Sequence, residues 1–167
     1  VFTQFPLGIT DLSLNFDKFE WFCLGDKCQL VIEPVVGNSI GYYSQTRFVT
    51  VGDFNEDTWL DIAVANNGTD SIGLFIGLGN GTFTKQQMYD IGFGSRPYSL
   101  AVADFNNDHH LDIVVACYGI NSLFIFFGYG NGSLGDQKTV FLNASRPIFI
   151  NVGDFNNDNQ SDLVVAN

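Results

Sequence analysis

One nine-residue pattern occurs three times in the 167 residues. It reads Asp53-Phe54-Asn55-Glu56-Asp57-Thr58-Trp59-Leu60-Asp61, then Asp104-Phe105-Asn106-Asn107-Asp108-His109-His110-Leu111-Asp112, then Asp154-Phe155-Asn156-Asn157-Asp158-Asn159-Gln160-Ser161-Asp162. The leading aspartates are 51 and 50 residues apart. A repeat of that length is too long for most helical solenoids and suits a four-stranded unit. Each copy carries side-chain oxygens at positions 1, 3, 5 and 9. Carboxylates and amide carbonyls are hard donors, and several converging on one point suit calcium. Alternate spacing lets a curling loop aim positions 1, 3 and 5 inward, and position 7 can add its backbone carbonyl.

The likeness to an EF-hand is partial. No glycine stands at position 6 and no glutamate at position 12, and apolar runs flank the loop in place of helices. The loops are therefore expected inside β-hairpins. Residues 48–51 enter the first loop and 62–65 leave it. A turn follows at 66–70, a third strand at 71–76, a Gly-rich turn at 77–81 and a fourth strand at 82–89. The second copy repeats this with strands at 100–102, 113–116, 123–127 and 137–142, and a Gly-rich turn at 128–132. The third copy supplies strands at 148–152 and 163–166. Residues 1–46 read as a degenerate copy, with strands at 19–23 and 29–36 and a weaker one at 12–16. No segment has a 3.6-residue apolar period, so essentially no helix is expected.

The expected fold is all-β: a β-propeller segment of four-stranded antiparallel blades, with two full blades plus two half-blades. The units are 1–46 (the back half of a preceding blade), 47–95, 96–145 and 146–167 (a front half). A closed ring usually needs four to eight blades. Either the chain is part of a longer protein, or its two halves pair as one composite blade, or copies associate through their open strand edges.

The formal net charge is −11, and ten of the 18 acidic residues, nine aspartates and Glu56, lie in the three loops. The acidity is mostly a metal-site signal. It offers no basic patch for nucleic acid and no anchor for anionic membranes. No apolar run reaches the roughly 18 residues of a membrane span, so this segment is not expected to insert into a membrane. Cys23 and Cys28 flank a plausible tight hairpin and can meet disulfide geometry, whereas Cys117 reads as a buried thiol. Asn67, Asn80, Asn131 and Asn143 each begin an Asn-x-Ser/Thr sequon in an expected turn, which favours a glycosylated chain in the secretory pathway, extracellular or at the cell surface.

The three loops, with Phe75-Ile76-Gly77-Leu78-Gly79-Asn80-Gly81 and Phe126-Phe127-Gly128-Tyr129-Gly130-Asn131-Gly132, resemble the FG-GAP repeats of integrin α-subunit-type propellers. The resemblance covers residues 44–167 well and 1–43 poorly. It implies a structural metal in the loop between a blade's first two strands, up to three Ca²⁺ in all. Carried over by position, the ligands are Asp53, Asn55, Asp57, Asp61 and the Trp59 carbonyl. In the next blade they are Asp104, Asn106, Asp108, Asp112 and the His110 carbonyl, and in the last Asp154, Asn156, Asp158, Asp162 and the Gln160 carbonyl. Integrin propellers have seven blades and a partner subunit, and this chain shows neither, so an integrin identity does not follow.

Catalysis is not expected. His109 and His110 are the two histidines, and both sit in a loop where their side chains should face solvent. No serine stands in a nucleophile elbow. The Gly-x-Gly-x-Gly runs lie between strands, so they are turns and not phosphate loops, which must open a helix. The expected function is adhesion or recognition of a protein or glycan, on the face built by loops 66–71, 92–96, 117–122 and 143–146. The alternatives are a scaffold propeller attached to an enzyme domain elsewhere in a longer chain, or a lectin.

Overall fold

The computed structural model describes residues 19–24, 27–32, 44–142 and 146–167. Among them there is no helix, and the strands form four antiparallel sheets. β1 (Phe19–Leu24) and β2 (Lys27–Ile32) pair alone. β3 (Thr46–Gly52), β4 (Asp61–Asn66), β5 (Ser71–Phe75) and β6 (Gln87–Asp90) form the first four-stranded sheet, in chain order. β7 (Pro97–Ala103), β8 (Asp112–Cys117), β9 (Ser122–Gly128) and β10 (Leu134–Phe141) repeat it. β11 (Phe149–Gly153) and β12 (Asp162–Ala166) pair as the front half of a third. The two half-sheets are not hydrogen-bonded to each other. The strand expected at 12–16 and the end of the one expected at 29–36 lie outside the described residues.

Every residue of β4 and of β8 is buried, and their side chains alternate between two buried faces. Ala63 and Ala65, with Ile72 and Leu74 of β5, pack against Ile113, Val115, Phe124 and Phe126 of the second blade. Ile62, Val64 and Phe75 point the other way. In the second blade, Val114, Ala116 and Leu123 meet Ile150, with Val152, Leu163 and Val165 of the half-blade around it. Burial on both faces explains why these strands are continuous apolar runs, since each buried Val, Ile or Leu contributes roughly 1.5–3 kcal/mol. The first strands of successive sheets lie side by side, β3 against β7 and β7 against β11. They line an open groove of about 320 Å³. The sheets are therefore stacked face to face with their first strands innermost, as propeller blades are.

The fourth strands differ from expectation. β6 starts only at Gln87, because residues 82–86 turn otherwise. The Thr82 amide and hydroxyl both donate to Asn80 Oδ1, Gly77 and Phe83 form one bridge, and Thr84 exchanges bonds with Ile76. Its equivalent β10 starts three residues before the expected position and holds a bulge between Leu134 and Gln137.

Candidate metal centre

The three nine-residue loops each join a blade's first two strands, and each folds on its own hydrogen bonds. In the first, the Asp57 N–H donates to Asp53 Oδ1 (3.2 Å) and to Asn55 Oδ1 (3.3 Å). Thr58 N–H donates to Asp53 Oδ2, Trp59 N–H to Asp57 Oδ1, and Asn55 Nδ2 to Asp57 Oδ2. The second loop makes the same bonds through Asp104, Asn106 and Asp108. The third makes them through Asp154, Asn156 and Asp158. Positions 4 and 6 of every loop adopt positive φ, from 60° at Asn157 to 73° at Thr58. That alternation curls the chain so that positions 1, 3 and 5 bring their oxygens together.

Position 9 has a different role. Asp61 is fully buried; its Oδ2 accepts from Phe54 N–H (2.7 Å) and its Oδ1 from Gly77 N–H (2.7 Å). Asp112 does the same with Phe105 (2.9 Å) and Gly128 (2.9 Å). The carboxylate therefore ties the loop to the end of the third strand. This also explains the first glycine of each Gly-rich turn: a Cβ at Gly77 would stand 2.4 Å from the Leu60 carbonyl oxygen, and one at Gly128 2.1 Å from that of Leu111. Burial pushes both aspartates above the ordinary carboxylate range, although the two amide donors pull the other way. Among the described residues Asp162 keeps only the bond from Phe155 N–H (2.9 Å), because none of the described strands pairs beside β12 as a third strand.

The structure thus brings positions 1, 3 and 5 together and sets position 9 beneath them. Among the described residues no three His, Cys, Asp or Glu side chains form a metal-sized group. The converging donors are two aspartates and one asparagine per loop. Hard oxygens in an open, curled loop fit calcium chemistry, and the backbone amides now occupy part of their hydrogen-bonding capacity. At position 7 the amides of Trp59, His110 and Gln160 donate to the position-5 carboxylate.

With this geometry in view, the sequence profile of the FG-GAP-like repeat matches residues 53–115 and 110–165, each span running from one aspartate loop into or through the next. The chain belongs to the FG-GAP-like repeat family. No curated protein matches it. The first match starts at Asp53 and the second at His110, inside the middle loop, so each contains one Gly-rich turn.

Several features were not legible beforehand. His109 faces solvent, but His110 does not: its Nδ1 meets Glu56 Oε1 of the first loop at 2.5 Å and its ring lies against Gly130. The hydrogen bond that the His110 ring donates to the Glu56 carboxylate raises the His110 pKa, and the His110 amide lowers that of Asp108. Asp70, without a counterpart among the loops, accepts from Gly94 N–H, Ser95 Oγ and Arg96 N–H, which staples the first blade to the connection entering the second. Its partners lie 24–26 residues away, so only the fold reveals them. Cys117 is buried, and burial pushes its thiol up to about 12.

Cross-strand register sets the backbone of Cys23 opposite that of Cys28. Their side chains, and so the expected disulfide, lie outside the described residues. Asn80 and Asn131 are exposed in the Gly-rich turns, each with Oδ1 accepting from the amide and hydroxyl two residues on. Asn67 Nδ2 instead donates to the Pro97 carbonyl of the next blade. Asn143 lies outside the described residues.

Proposed function

We propose that this FG-GAP-like segment is a calcium-stabilised, non-catalytic recognition scaffold in an extracellular or cell-surface protein. The observation that carries the reading is the threefold recurrence of one loop geometry, in which Asp57, Asp108 and Asp158 each have their amide between the side-chain oxygens of positions 1 and 3. Asp53, Asn55 and Asp57, with Asp61 or the Trp59 carbonyl completing the set, would hold one ion. Asp104, Asn106, Asp108, Asp112 and His110 would hold a second, and Asp154, Asn156, Asp158, Asp162 and Gln160 a third. The ion replaces repulsion among like charges with attraction and holds a long hairpin loop closed. Three ions would change the formal charge of −11 by six, to −5.

The non-catalytic part rests on the walls of the axial groove, which carry no titratable side chain. Of the histidine pair, His110 is engaged by Glu56 and His109 stands in solvent. The extracellular part rests on the exposed sequons and the cysteine register. The ligand, a protein or a glycan, would meet the end of the blades opposite the metal loops, where chain connections from successive blades gather. The test is a melting curve across a calcium titration, with magnesium as control, since magnesium demands strict octahedral geometry and keeps its waters. A melting temperature unmoved by chelation sinks the calcium reading.

A further inference from the structure

The chain has three arginines, and all three stand at the end of the blades away from the metal loops: Arg47 in β3, Arg96 before β7 and Arg146 before β11. Two of them close a ladder that crosses three blades. The Arg47 guanidinium lies 5.0 Å from the centre of the Tyr98 ring. Tyr98 stacks on Tyr118 with centroids 4.9 Å apart and planes 29° from parallel. The Arg146 guanidinium lies 5.2 Å from the Tyr118 centroid and donates to the Tyr118 hydroxyl (3.0 Å). Both arginines are exposed and both tyrosines half-buried. Among the described residues no carboxylate lies within ion-pair distance of either guanidinium.

We propose that the Arg47–Tyr98–Tyr118–Arg146 ladder docks an extended acidic segment of a partner protein, with two carboxylates about four residues apart. This deepens the recognition reading above and rests on it. The aromatic faces decide against a sugar. Each tyrosine ring already carries a guanidinium and the stacked ring of the other tyrosine, which leaves little open face for a pyranose. What remains outward is guanidinium N–H edges, whose planar fork matches a carboxylate in two parallel bonds. Held over rings, these side chains lose little further freedom on binding.

The spacing selects the peptide. The two guanidiniums are at most about 15 Å apart, the three ring distances laid end to end. In an extended chain, residues i and i+4 share a face and lie about 13 Å apart. Fully exposed Phe93 stands on the 92–94 connection, whose Gly94 carbonyl abuts Gly119 beside Tyr118, and it adds an apolar edge to the strip. The acidic loops do not cancel the field. A six-residue strand separates the two ends by about 20 Å, more than twice the Debye length at physiological salt.

The experiment uses the whole chain in millimolar calcium and a fluorescein-labelled peptide of alternating glutamate and threonine, read by polarisation. Binding is expected, weakening with salt, and reduced about fivefold by Arg47→Gln and again by Arg146→Gln. Lys138→Gln, an exposed charge in β10, should leave it unchanged. Melting is recorded for each variant because the ladder also packs the blades. If Arg146→Gln unfolds, Arg146→Lys keeps a cation over Tyr118 while removing the fork, and reduced binding is again expected. The proposal is overturned if the peptide does not bind, if Lys138→Gln weakens it as much as the arginine variants, or if a heparin-derived oligosaccharide binds while the peptide does not. Calcium-dependent melting that persists without peptide binding overturns the docking strip alone and leaves the scaffold reading standing.

Discussion

The first and third aspartate loops share a pattern and a set of internal hydrogen bonds, yet they sit in different surroundings. In the first, Phe54 is 3% exposed, inserted between two blades, and Asp61 is clamped to the third strand through Gly77. In the third, Phe155 is 62% exposed and Asp162 lacks a third-strand partner. The middle loop shares the clamp, through Gly128, and its Phe105 is half-buried against the following half-blade. Loop shape is thus local, whereas loop anchorage comes from the neighbouring strand and blade. The difference should appear as stability.

The largest effect falls on the phenylalanine at position 2. Phe54→Ala should cost about 3–5 kcal/mol, the usual loss for a buried Phe. Phe155→Ala should cost less than about 0.5 kcal/mol, as exposed substitutions do. Urea unfolding of both variants measures the contrast, and similar losses would break it.

Next comes the position-9 carboxylate. Asp112→Ala leaves the amides of Phe105 and Gly128 without their acceptor, and should cost about 2–4 kcal/mol, since each unpaired buried group costs about 1–3 kcal/mol. Asp162→Ala removes one bond at an exposed loop and should cost about 1 kcal/mol or less. If Asp162→Ala proves as damaging as Asp112→Ala, the third-strand clamp is not what anchors the loop.

Calcium should sharpen the same contrast. Sites with Kd of about 10⁻⁴ to 10⁻³ M add about 0.4–1.4 kcal/mol each at roughly 1 mM calcium. The clamped loops should lie at the tight end and the third at the weak end. Asp108→Ala should therefore remove more of the calcium-dependent shift in melting temperature than Asp158→Ala. Asp70→Ala should lower stability equally with and without calcium, because its partners are the amides and hydroxyl at 94–96. A calcium-dependent Asp70→Ala effect, or equal losses from the two loop variants, would count against this ordering.

The smallest effect concerns a hydrogen bond between loops of adjacent blades, Glu56 to His110. Glu56 raises the His110 pKa above its ordinary value. A raised imidazole contributes its stability fully below the unfolded value of about 6.5 and loses it as pH rises through the folded value. Glu56→Gln should move the His110 titration down, followed by NMR of its ring protons. An unmoved His110 midpoint would remove the link.

How much of this was legible varies by residue. The 50-residue period and the run Ile62-Ala63-Val64-Ala65 announce a strand in a four-stranded unit, and the structure has it, buried on both faces. The nine-residue loops were visible as oxygen-rich curls because their partners lie within five residues of one another. The fourth strand expected at 82–89 starts only at Gln87, because the Asn80–Thr82 side-chain turn competes with ladder pairing before it. Asp61 looked like one more ligand, but its distant partner Gly77 makes it a strut as well.

What lies within a few residues was written in the chain: strand periodicity, turn chemistry, the curl of each loop. These depend on backbone preference and short-range hydrogen bonds, which the neighbours in sequence largely decide. The burial of Phe54 against the exposure of Phe155, the reach of Glu56 to His110 across 54 residues, and the Arg–Tyr–Tyr–Arg ladder over three blades were decided by packing alone. Identical local motifs meet different neighbours once the sheets stack, and burial and pairing are properties of those neighbours.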